Sequence, residues 1–246
     1  KKKLWSFTKL FLKFLITGLS LYLVFTKVKL TDIEEAFTNA DFLYLLIALL
    51  FFVASQIVAS SRLNTFFKSI GLQLSGVLNF KVYLLGMFYN LFLPGGIGGD
   101  GYKVFFLKKK YNARGKDLFF SIFFDRLSGL WALSMITAVL IVFIPGLHIP
   151  SWIPITVVVV GTAVYWLVVN FYFNQYSSHF ITTHIKALFV QSLQVMCAIF
   201  LLYALHLDGK YSPYLLVFLV SSLVSLFPFT VGGLGSRESV FVYGAI

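Results

Sequence analysis

Charge is scarce in this chain. Only 12% of its 246 residues are Asp, Glu, Lys or Arg, against 59% apolar and 19% aromatic. So few polar groups cannot clothe a soluble core of this length, which excludes a water-soluble domain. Acid is scarcer still, with 9 Asp and Glu against 20 Lys and Arg. No polar domain exists to bring that positive excess to nucleic acid, so it reads as orientation in a membrane and attraction to anionic lipid. Cysteine is reduced to Cys197, inside an apolar run, which excludes disulfides and cysteine metal sites. The four histidines, His148, His179, His184 and His206, share no metal-binding spacing. Nor does any nucleophile come with a base and an orienting group, which weighs against an enzyme and leaves no cofactor to expect. Alternating strand-length segments are missing too, and with them a transmembrane barrel.

What the chain has instead is a series of apolar runs of about 18 to 25 residues, the length of a spanning helix. The expected fold is an all-α integral membrane protein, a polytopic helical bundle forming a single membrane domain over residues 1–246. A basic start, Lys1 to Lys13, leads into a first, uncleaved span from Leu10 to Phe25. An acidic loop with Asp32, Glu34, Glu35 and Asp41 precedes a second span, Phe42 to Ser60, after which come Arg62 and Lys68. Further full spans are expected at Leu118 to Ile144, Trp152 to Phe173 and Ala187 to His206. The charge pattern places the N-terminus in the cytoplasm, and the expected location is the cell membrane. The end at Ile246, soon after the last motif, leads us to expect further sequence beyond it.

Two stretches break this pattern with the same punctuation. Pro94 to Lys103 and Pro228 to Arg237 both read P-x-x-x-G-G-x-G-x-[K/R], which sets Gly98 on Gly232, Gly99 on Gly233, Gly101 on Gly235 and Lys103 on Arg237. Proline removes an amide donor and glycine tolerates unusual backbone, so each stretch interrupts a helix and lets it restart. The broken helices cover 77–107 in the first half and 213–246 in the second. Were 77–107 a single crossing, basic loops would fall on both sides of the membrane. A re-entrant hairpin with its tip at Pro94 to Gly101 returns Lys68 and the cluster Lys108, Lys109, Lys110, Arg114 and Lys116 to one side. Three full spans separate the two hairpins, so they enter from opposite sides as an inverted repeat; a single continuous crossing with a kink at either motif is the alternative.

A helix restarting after such a turn offers free amides and a positive dipole end, to which Lys103 and Arg237 each add a charge. In a membrane the obvious anion is a lipid phosphate. Tight helix packing through small residues is the plainer account of the glycines, though it leaves the repeated basic residue unexplained. Gly96 to Gly101 also matches G-x-G-x-x-G, but a dinucleotide loop needs a preceding strand that is absent here. Asp100, Asp125, Arg126, Arg237 and Glu238 are the ionisable groups expected at hydrocarbon depth, where such groups are functional suspects. Asp125 and Arg126 point in different directions on one helix, so each needs another partner. We expect Asp125 to face the cleft near Lys103 or Arg237, and Glu238 to meet a basic group of the other loop. For Arg126 snorkelling to the headgroups competes, and for Asp100 a capping role. Asn90, Gln191 and Gln194 either line a wet path or bond helix to helix.

The run Asn90 to Lys103, then Asp125 to Leu130, then Pro228 to Glu238 resembles the membrane domain of the lysylphosphatidylglycerol synthases and its stand-alone relatives. The resemblance implies movement of phospholipid between leaflets, aminoacylated phosphatidylglycerol among them, through a cavity flanked by re-entrant helices. The residues it implicates in lipid handling are Asn90, Pro94, Gly98, Gly99, Asp100, Lys103, Asp125, Arg126, Pro228, Gly232, Gly233, Gly235, Arg237 and Glu238. The full synthases carry a soluble aminoacyltransferase domain that this chain does not contain, so synthase activity is not expected of it. The expected partner is membrane phospholipid. The alternative reading is a membrane subunit that presents lipid to a soluble transferase.

Overall fold

The structure, a computed structural model, describes residues 30–92, 98–143, 149–207, 211–225 and 236–244, together with Gly18, Tyr22 and Thr26. The basic start and nearly all of the expected first span lie outside the described residues, as do 93–97 and 226–235 in the glycine motifs. Among the described residues every regular element is helical. In chain order these are α1 (Leu30–Asn39), α2 (Phe42–Ser69), α3 (Gly76–Phe92), α4 (Gly98–Tyr111), α5 (Gly115–Phe143) and α6 (Trp152–Tyr172). A 3-10 turn (Asn174–His179), α7 (Phe180–Ala204), α8 (Tyr211–Ser225) and α9 (Ser236–Gly244) complete them. Among the described residues four helices, α2, α5, α6 and α7, are long and apolar enough to cross a membrane. The chain is an all-α polytopic membrane protein.

The acidic segment read as a loop is in fact helix α1, in which Thr38 Oγ1 donates to the carbonyl of Glu34 at 2.8 Å. Asp41 then caps α2, its Oδ1 accepting the amide of Leu43 at 2.9 Å. That helix runs past the expected end at Ser60, because Arg62 marks no boundary with water: its charge is met inside the bundle. It stops at Gly71, whose φ of 77° allows the amides of Gly71 and Leu72 to reach back to the carbonyls of Lys68 and Phe67, each at 3.0 Å. Likewise α7 starts at Phe180 rather than Ala187. Lys186 sits within it and donates to Ser61 Oγ and Thr65 Oγ1, both at 2.9 Å.

The most extensive helix pair is α2 with α7, packed antiparallel. At one end Asp41 N–H donates to the carbonyl of Ala204 at 2.9 Å, and at the other stand the Lys186 contacts. Small residues make the seam close: Ala48, Ser55 and Ala59 on α2, Ala187, Ala198 and Ala204 on α7, all buried. Helix α5 also runs antiparallel to α2, pairing Asp125 with Arg62 and Ser121 with the carbonyl of Phe66. Two apolar clusters, one around Leu63, Phe67, Leu107 and Leu118 and one around Phe66, Phe124, Val169 and Tyr176, tie together the end of the bundle where α2 terminates. The outside is as apolar as the inside. Val157, Val160, Val164 and Phe171 on α6, with Leu43, Leu50 and Val53 on α2, stand exposed, as only a lipid-facing surface tolerates.

Helices α3 and α4 fold back on each other, with Tyr89 against Tyr102 at 4.5 Å between ring centroids. The pairing is so close that a Cβ on Gly99 would overlap the carbonyl of Gly86, and one on Gly86 would overlap the side chain of Lys103. Backbone lies on backbone there, which glycine alone permits.

Candidate functional site: an ionic cluster in an amphipathic cavity

The first turn of α4 has amides with no helical partner. One of them is satisfied from the neighbouring helix, since Gly99 N–H donates to Asn90 Oδ1 at 2.9 Å. This contact pins the start of α4 against α3. Asp100 and Lys103, one turn apart, then face the same way. Lys103 is 5% exposed, bonds Asp100 Oδ1 at 3.1 Å and holds its ammonium 5.2 Å from the centroid of the Tyr83 ring. The other carboxylate oxygen of Asp100 accepts from Arg126 Nε on α5. Asp100 thus answers two cations at once.

Asp125, adjacent to Arg126, looks elsewhere. Its Oδ1 accepts from Arg62 Nε at 2.8 Å, and both residues are only 7% exposed. Asp125 borders the same cavity as Lys103, but its ion-pair partner is Arg62, which the sequence reading did not offer, and the side chain of Arg237 lies outside the described residues. Lys103 is engaged by Asp100, and α2 brings Arg62 up to α5, its guanidinium lying over Gly129. A buried ion pair of this kind needs its geometry held, since desolvation of two charges offsets their attraction. Arg126, at 36% side-chain exposure, is the most open member of the cluster.

These groups share one cavity of about 840 Å³. Arg62, Asp100, Lys103, Asp125 and Arg126 border it, with Asn90 and Tyr83 beside them. From the level of Arg62 it follows α7 through Val190, Gln191 and Gln194 to Leu201 and Leu205, where the wall becomes aliphatic and aromatic with Leu215, Phe218 and Phe241. From Val190 to Leu205 the helical rise amounts to about 22 Å. One end is ionic, the other oily. A second hollow of about 730 Å³ between α5 and α6 has no ionisable residue in its lining and carries no comparable chemistry.

Of the residues expected from the sequence, Asn90, Asp100, Lys103, Asp125 and Arg126 thus border a single space. Gly98 and Gly99 open α4 and shape its approach to α3. Glu238 is half-buried on α9, whose Phe241 reaches the cavity. Pro94, Pro228, Gly232, Gly233 and Gly235 lie outside the described residues, as does the side chain of Arg237. The sequence reading missed Arg62, Tyr83, Gly86 and Gly129. Arg62 carried a signal, a lone cation following an apolar run, but the same signal marks a helix end. Among the described residues no group of three His, Cys, Asp or Glu gathers to hold a metal.

A family model described as the lysylphosphatidylglycerol synthase TM region matches residues 10–185. No curated protein and no solved structure matches the chain.

Proposed function

The chain belongs to the family of the lysylphosphatidylglycerol synthase TM region, and on that premise we propose that it binds an anionic glycerophospholipid in the cavity and passes it between leaflets. The observation that carries this reading is the composition of one space: an ionic cluster and an oily wall border the same 840 Å³. A phospholipid has that same division. Three basic and two acidic side chains of the described residues meet there, so a phosphate finds a net positive lining. Asp100 shares its single carboxylate between Arg126 and Lys103, and an arriving phosphate takes over both cations from it. No bond is made or broken, and the work is binding and release.

The helical hairpin α3–α4 supports a re-entrant arrangement. Its arms are 17 and 14 residues long, about 25 and 21 Å, and both fall short of the roughly 30 Å hydrocarbon core. The second glycine motif enters from the opposite leaflet in this proposal and completes the far wall, with Arg237 serving as Lys103 does. The protein works in the cell membrane with its N-terminus in the cytoplasm. Presentation of lipid to a separate lipid-modifying transferase is the second reading, favoured by the synthase in the family description.

The test is transbilayer exchange of labelled phosphatidylglycerol in vesicles containing the purified chain. Exchange faster than in protein-free vesicles is expected, slowed at least tenfold in Arg126→Gln and in Lys103→Met. Both variants must keep the wild-type elution profile and helical circular dichroism. Exchange at the wild-type rate in both would refute the site.

A further inference from the structure

Gln191 is unusual among the residues of the cavity wall. It borders the cavity, is 6% exposed, and its amide nitrogen has no hydrogen-bond partner among the described residues. A buried donor left unpaired has lost its hydration without a return, and such groups are rare in a folded interior. Gln194, one turn further along the same face of α7, borders the same cavity.

Their place in the cavity is informative. Lys186 bonds Ser61, so Arg62 stands near the level of residues 184–186 on α7. Gln191 lies about 8 to 10 Å further along the helix. Beyond Gln194 the cavity face of α7 carries Cys197, Ala198, Leu201 and Leu202, followed by Leu205 just past its end, with no further amide. Along this helix the two glutamines therefore stand where the ionic lining gives way to the aliphatic one. In a diacyl glycerophospholipid the corresponding place is held by the ester carbonyls, which accept hydrogen bonds but give none.

Resting on the lipid reading above, we infer that Gln191 is a specificity-determining residue, whose amide nitrogen turns into the cavity and donates to an ester carbonyl at the junction of headgroup and tails. The ligand class is then an ester-linked glycerophospholipid. An ether-linked lipid with the same headgroup leaves the donor unsatisfied and binds less tightly. Rotation about the three side-chain torsions of glutamine suffices to present the nitrogen, and the unpaired donor gains a partner only when the ligand is in place.

The experiment displaces a fluorescent dioleoyl phosphatidylglycerol from the full chain in detergent, using unlabelled dioleoyl phosphatidylglycerol or its dialkyl-ether counterpart. In the wild type the diester lipid should displace at a concentration about three- to tenfold lower. In Gln191→Leu the two lipids should displace equally. Equal displacement by both lipids in the wild type overturns the inference while leaving the lipid reading intact, and so does a preference that survives in Gln191→Leu. Failure of the probe to bind the wild type at all overturns both. Should Gln191→Leu not fold, the ratio measured on the wild type still decides.

Discussion

Asp125 and Arg62 show what a single charge can demand of its surroundings. Removing either leaves the other buried without compensation, which in protein interiors costs about 3–5 kcal/mol. Thermal unfolding in detergent should therefore show Arg62→Leu and Asp125→Leu each strongly destabilised. The double variant should lose far less than the sum of the two, a coupling that a double-mutant cycle measures directly. Additive losses would mean that the pair does not act as one unit. The sequence announced Asp125 and Arg126 as charges out of place, but not their partners, because a helix face says nothing about a residue 63 positions away. Tyr176, outside the spans, is a second case. Its hydroxyl donates to the carbonyl of Asp117 at 3.0 Å, and burial pushes its phenol above the ordinary value. A folded value raised above the unfolded one gives stability that is complete below about pH 10 and lost as pH rises through the folded value. Tyr176→Phe should be less stable by about 1 kcal/mol at pH 8, and the gap to wild type should narrow over the alkaline range above about pH 10. A gap that stays constant over that range would exclude this titration.

At the scale of the element, the hairpin α3–α4 separates residues that the motif treats alike. Both Gly99 and Gly101 belong to the repeated pattern, and nothing in the string distinguishes their roles. In the structure a Cβ on Gly99 would overlap backbone of Gly86, whereas one on Gly101 meets nothing among the described residues. Gly99→Ala should push the two helices apart and cost more than about 3 kcal/mol, at the upper end of overpacking. Gly101→Ala, in the interior of a helix, should be neutral or stabilise by about 0.5–1 kcal/mol. Unfolding of the two variants in the same detergent checks this, and equal effects would argue that the glycines serve flexibility rather than close approach. The break itself was legible because proline and glycine act locally. Which glycine carries the contact depends on the facing helix, and no local pattern records it.

For the whole molecule, the charges along the chain are the ground for proposing that 77–107 folds back within the membrane, since a single crossing would split the basic segments between two sides. The packing supports that proposal, with Leu107 at the far end of α4 packed against Leu63 on α2 and Leu118 on α5. The cavity had no such signature, because its walls come from α2, α3, α4, α5, α7, α8 and α9 and only their assembly creates the space. Sidedness can be tested without knowing the ligand. In a Cys197→Ser background, single cysteines at Lys68 and Lys109, both exposed, should react with a membrane-impermeant maleimide from the same side of sealed vesicles. A cysteine at Ser151, exposed at the start of α6, should react only from the other side. Helix α5 crosses once between Lys109 and Ser151, so this pair calibrates the vesicles. Labelling of Lys68 and Lys109 positions from opposite sides would make 77–107 a full crossing. The arms of about 25 and 21 Å would then be laid end to end rather than side by side, Gly86 would lose its contact with Gly99, and Lys103 could no longer share a cavity with Arg62.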